Sequence, residues 1–183
     1  MKRVCVICIG NILLADEGVG PAIAKRMIER YEFPENVRVE DCACMGLALL
    51  PEFEENDLLV VVDAVDGTGE PAGTVFRFSP DDIDRSHVIH SAHDMRFSDV
   101  RDAAKMLGYE VEGVCVGVQV EDISPAEFEI GLSEPVEAAL PLAIQTVLSI
   151  LLENGVAGII ERDSGLEVCA NGELREPDGG GIG

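Results

Sequence analysis

The sequence contains no tryptophan, and aromatic residues occupy only 4% of its 183 positions. A core built from it must rest on Val, Ile, Leu and Ala. Basic residues are scarce too: 13 Lys and Arg stand against 35 Asp and Glu, a formal charge of −22. Such a surface repels phosphate backbones and anionic lipid, which argues against nucleic-acid and membrane partners. Long apolar runs are also missing. Lys2 and Arg3 precede only the six residues VCVICI, too short for a signal h-region, and no A-x-A site follows. The longest helical apolar stretch, PVEAALPLAIQTVLSILLENG, carries Glu137, Pro141 and Gln145 and makes a poor bilayer span. A cytoplasmic protein is expected.

Several catalytic motifs are absent as well. No G-K-[ST] occurs, which excludes a P-loop, and Gly18-Val19-Gly20 lacks the third glycine of a dinucleotide fingerprint because position 23 is Ile. Without H-E-x-x-H, an ordinary resident-zinc protease is not expected, and no Ser or Cys stands beside a His in a nucleophile-like motif. The six cysteines read as reduced thiols. Cys5, Cys8, Cys42, Cys44 and Cys115 lie in apolar, strand-like runs where Cys serves as a small hydrophobe. Cys5 and Cys8 would point to opposite faces of a strand and could not jointly grip a metal.

What is present is an alternation of strand and helix patterns. RVCVICI (3–9) is near-continuously apolar, as for a parallel strand buried on both faces. A helix is expected over 19–31, a strand over 36–44, and a short helix over 45–56 interrupted by Pro51. LLVVVDAV (58–65) is the strongest central-strand signal, and TVFRFSP (74–80) an edge or antiparallel one. A helix over 97–109 has Ser98 as its cap and Gly108 as its stop; a strand follows over 111–120. The long helix 133–154 is capped by Ser133 and ended by Gly155. The expectation is a three-layer α/β/α fold with a mostly parallel sheet, forming one domain over 1–160. From Glu161 to Gly183 the periodicity fails, and a partly disordered tail is expected, with Asn171-Gly172 as a small hairpin turn.

Ligands of open α/β sheets gather at the carboxyl ends of the strands. Asp16 and Glu17 follow the first strand there, in GNILLADEGVG; Asp63 and Asp66 end the central strand; His87, His90 and His93 occupy the loop SHVIHSAHDM. Carboxylates and imidazole converging at one sheet edge compose a site for a borderline divalent ion such as nickel or zinc. Each residue also has a structural role open to it. Asp16 could cap the following helix, Asp63 accept loop amides, Asp66 make a turn, and the histidines face solvent.

The stretch GNILLADEGVGPAIAKRM resembles the opening G-N-x-L-x-x-D-[DE]-G-x-G signature of hydrogenase maturation endopeptidases. DCACMGLALL, LLVVVDAVDGTGEPAGTV, SAHDM and VGVQ are similar to later family segments in the same order, so the likeness spans about residues 3–150. It implies that Glu17, Asp63 and His93 are the metal-binding positions, with Glu17 and Asp63 the catalytic candidates, while Asp16 is an acid that is not a ligand. It implies removal of a C-terminal extension from the immature large subunit of a nickel–iron hydrogenase. The nickel would belong to the substrate, with cadmium or zinc able to stand in for it. Three ligands leave coordination positions open for sharing the ion.

The resemblance leaves open whether cleavage is aspartic-type or metal-dependent. One departure stands out, since Cys42-Ala43-Cys44 replaces the family's Gly-Gly-Thr near the cleft; both thiols are read as packing residues. A monomer is expected. A non-proteolytic nickel-sensing chaperone that binds the immature hydrogenase is the alternative from another class.

Overall fold

The computed structural model describes residues 1–43, 46–80, 82, 97–121, 128–169 and 173–177. Five strands form the main sheet: β1 (Val4–Ile9), β3 (Val37–Ala43), β4 (Leu58–Val65), β5 (Val75–Phe78) and β6 (Glu112–Gln119), in the order β3-β1-β4-β6-β5. The first four in that order run parallel, and β5 closes the edge antiparallel to β6. The apolar runs of β1 and β4 thus occupy the middle, where both faces are covered.

Alternation along the strands divides the core. Val4, Val6, Cys8, Val60, Val62 and Val116 meet α1 (Val19–Arg30) and the helix Glu134–Glu153, numbered α4 below. Cys5, Ile7, Leu59, Val61 and Cys115 meet α2 (Leu50–Glu55) and α3 (Phe97–Met106) on the other face. Three layers result, as the alternating pattern implies, and Cys5 and Cys8 do face opposite sides. α4 has the length and apolarity to cross a membrane, yet Val136, Leu140, Ala143, Val147 and Leu151 are fully buried in this core.

Local chemistry moves some boundaries. Pro51 does not interrupt a helix; it sits in the first turn of α2, after a 3-10 turn over Gly46–Leu49, where its missing N–H costs nothing. α3 begins at Phe97, ahead of the expected cap Ser98. It ends as expected at Gly108 (φ 87), with the Tyr109 N–H returning to the Ala104 carbonyl.

The largest correction concerns the C-terminal segment. Rather than trailing away after residue 160, the chain adds β7 (Ile160–Glu161), β8 (Glu167–Val168) and β9 (Leu174–Arg175) to β2 (Tyr31–Glu32) in a second, antiparallel sheet. Buried carboxylates pin it. Glu161 accepts a fork of two bonds from Arg30 (2.9 and 2.7 Å), and Glu167 accepts the Gly158 N–H (2.8 Å) and Arg175 (3.1 Å). Val168 packs into the α1–α4 core. Two-residue strands held by ion pairs have no period to display, which is why the pattern ends early. Asn171 and Gly172, the expected hairpin turn, lie outside the described residues; β8 and β9 pair antiparallel.

Candidate active site

The motif GNILLADEGVG runs from the end of β1 into α1. Its glycines are explained by close packing. A Cβ on Gly20 would collide with the Ile9 carbonyl, and one on Gly10 with the Glu17 carbonyl. The loop therefore folds back on β1 at backbone contact, leaving no phosphate-sized cradle at either position. Asn11 fastens it, its side chain accepting the Leu13 N–H at 3.0 Å while its own N–H reaches the Glu17 carbonyl at 3.2 Å.

Within this loop a 3-10 turn, Ala15–Gly18, carries both acids, and both are buried. Asp16 does not cap α1, whose N-cap is Gly18 with no side-chain bond. It reaches across to the start of α4 instead. One oxygen accepts the Ser133 N–H (2.6 Å) and the other the Ser133 hydroxyl (2.8 Å). Ser133 was legible as the α4 cap; its hydroxyl is engaged by Asp16 rather than by the helix. The two residues clamp the turn onto α4, and Glu17, next in the chain, is positioned by that clamp.

Glu17 is only 2% exposed, and its turn packs against β4. Asp63 lies at the carboxyl end of β4, paired with Gly117 of β6, one residue past the last β1–β4 pair, Cys8–Val62. Its neighbours Val62 and Ala64 both face the α1–α4 core, so alternation turns Asp63 to the α3 side. It is half-buried and accepts the Ala64 N–H at 2.8 Å. Its charge is felt by Cys115 on the same face: burial first, then Asp63, pushes that thiol up to about 12. The fold thus brings the Glu17 turn and the Asp63 strand together at the carboxyl end of the sheet. His87, His90 and His93 lie outside the described residues, in the segment that leads into α3.

Gln119, buried at the end of β6, organises the neighbouring loop. Its carbonyl oxygen accepts the Thr68 hydroxyl and, at 3.3 Å, the Thr68 N–H, while its amide donates to Asp66 (3.3 Å) and Val120. Asp66 also accepts the Gly67 N–H, the turn role open to it in the sequence. The only sequence signal for Gln119 is the VGVQ segment.

The departure at 42–44 has a backbone reason. Ala43 adopts φ 44, a left-handed conformation that glycine takes without cost and that explains the family's glycine there. The β1–β3 register slips at this point, so Cys42 occupies a bulge. Cys42 packs in the α2–α3 core, and burial pushes its thiol up to about 11. The packing role expected of Cys42 fits; Cys44 lies outside the described residues. Among the described residues, Cys5, Glu40 and Glu52 lie close enough to one another to hold an ion. The carboxylates already serve Arg38, and Glu52 also accepts Asn56, so the group reads as an ion-pair cluster against α2.

A family model for the hydrogenase maturation protease (HycI) matches residues 21–150. The chain belongs to the hydrogenase maturation protease family. It is similar to the hydrogenase expression/formation protein HoxM of Azotobacter vinelandii, 36% identical over 94% of this chain and 83% of that protein. It is 31% identical to the hydrogenase 2 maturation protease of Escherichia coli K12, over 86% of this chain and 95% of the other. Its fold superposes on the hydrogenase maturating endopeptidase HybD from E. coli with a TM-score of 0.75 and 30% identity, covering 88% and 99% of the two chains. This chain is therefore a hydrolase of the maturation endopeptidase family, on the α/β fold that its pattern implies.

Proposed function

We propose that the protein removes the C-terminal extension of a nickel–iron hydrogenase large-subunit precursor after nickel insertion, and that it recognises the inserted nickel with Glu17, Asp63 and His93. The observation that carries the reading is the pair of acids at the carboxyl end of the sheet: a buried Glu17 held by a clamp, its turn packed on the strand that bears Asp63. Two carboxylates brought to one end of the sheet attract a cation carried by the substrate. Carboxylate and imidazole donors suit nickel, and cadmium or zinc would fill the same set.

In this reading nickel is part of the substrate and supplies recognition. Asp16 and Ser133 hold the turn, Gln119 holds the loop after β4, and the half-buried Asp63 is the group placed to accept a proton from an attacking water. The enzyme works as a cytoplasmic monomer, its charge of −22 opposing self-association.

The test is mass spectrometry of the precursor after incubation with the protein. The nickel-loaded form should lose its extension and the nickel-free form should stay whole. Stable binding of the nickel-loaded precursor without a mass change would establish the chaperone role instead.

A further inference from the structure

Around the Glu17 turn the surface is apolar where a soluble protein would ordinarily be polar. Ile12 is 59% exposed and Leu13 44%; across from them Phe128 is 81% and Ile130 79% exposed. The two segments are joined by a parallel bridge, Leu14 to Glu129. The Ala15 N–H meets the Glu129 carbonyl at 2.7 Å, and the Glu129 N–H meets the Leu13 carbonyl at 3.0 Å. Residues 128 and 130 flank the bridge at the two-residue spacing that puts extended side chains on one side. Beside them opens a groove of about 490 Å³, with Ile12, Pro21, Ile130 and Leu132 in its walls and Asp41 and Lys25 at its charged positions. Ala15 and Gly18, from the turn that carries Glu17, complete the lining.

We infer that this groove docks the C-terminal extension of the precursor as an extended apolar segment flanked by basic residues, an inference that rests on the function proposed above. Three observations support that occupant. The groove is walled in part by Ala15 and Gly18, so a segment seated in it lies against the turn that carries Glu17. The surrounding charge is acidic: Asp41, Glu129 and Glu134 are exposed against Lys25, on a chain of net charge −22, which favours a cationic partner and opposes a second copy of this chain. Finally, the apolar side chains stand on hydrogen-bonded backbone and need little ordering when a partner arrives.

The experiment is steady-state cleavage of nickel-loaded precursor by wild type and by the double variant Phe128→Ser, Ile130→Ser. Both side chains are exposed, so the melting temperature should stay within a few degrees. The expected result is a KM raised about tenfold with kcat at saturation within about twofold, the signature of lost binding away from the reacting groups. Exchanging the apolar residues of the extension for Ser should raise KM for wild type and add little for the double variant. Changing its basic residues to Glu should raise KM for both and weaken the salt dependence. An unchanged KM in the double variant overturns the docking site, as does a loss confined to kcat. A wild-type dimer that the double variant disperses would make a second copy the occupant and also overturn it. Failure of wild type to cut nickel-loaded precursor would sink the functional reading, and this inference with it.

Discussion

The two ends of the sheet treat their acids differently. At the amino end, carboxylates meet cations: Asp57 pairs with Arg3, Glu112 with Lys2 at 2.6 Å, and Glu161 with Arg30 at 2.7 Å. At the carboxyl end, Asp16 is held by Ser133, Asp63 accepts the Ala64 N–H, and Asp66 is held by Gly67 and Gln119. The amino end uses these acids to tie strands and helices together through ion pairs, whereas at the carboxyl end Asp16 and Asp66 hold the loops around the candidate site through neutral donors. Variants at one end should change stability alone; those at the other should change cleavage, with or without stability.

The largest effect should come from the backbone contact under the site. Gly20→Ala would force a Cβ into the Ile9 carbonyl, and the strand and helix must separate to admit it. Urea denaturation should show a loss of about 3 kcal/mol, with cleavage lost as the loop shifts. Asp16→Ala comes next. It leaves the Ser133 N–H and hydroxyl without their acceptor, at about 2 kcal/mol, and should also lower cleavage because the Glu17 turn loses its hold on α4. Equal cleavage by wild type and Asp16→Ala would break the positioning role.

At the amino end the prediction is stability without function. Glu161 is lowered from its ordinary value because Arg30, and then Ser164, hydrogen-bond its charged form. Glu167 is lowered by the Gly158 N–H, with Arg175 adding to it. A depressed carboxyl contributes stability that is fully present above its unfolded value, about 4.3, and is lost as pH falls through the folded value. Melting temperature should therefore fall below about pH 4, and Glu161→Gln should flatten part of that fall while cleavage at neutral pH stays unchanged. The smallest effect is at Ala43. Ala43→Gly relieves a left-handed alanine at some cost in chain entropy, for a net gain of about 0.5 kcal/mol.

The division between the ends also decides what could be read from the sequence. Val60 and Val62 of β4, and Val19, Ile23 and Met27 of α1, advertise their faces by period, so the layers and the order of elements were legible. Glu17 and Asp63 were singled out as candidates because strand ends are where open sheets bind ligands, and because the opening motif resembles a known family. The role of Asp16 was not, since its partner Ser133 is 117 residues away and only folding brings the two together. The C-terminal sheet was hidden for a similar reason. Glu161 and Glu167 look like surface acids until Arg30 and Arg175 are placed beside them.

The most direct test of the contrast is Glu17→Gln, measured for melting temperature and for single-turnover cleavage of nickel-loaded precursor in the same buffer. The amide keeps the packing of a residue that is 2% exposed and removes the charge. The expected result is a melting temperature within a few degrees of wild type and cleavage slowed at least about a hundredfold, about 2.7 kcal/mol of lost transition-state stabilisation. Full-rate cleavage by a well-folded Glu17→Gln protein would contradict it.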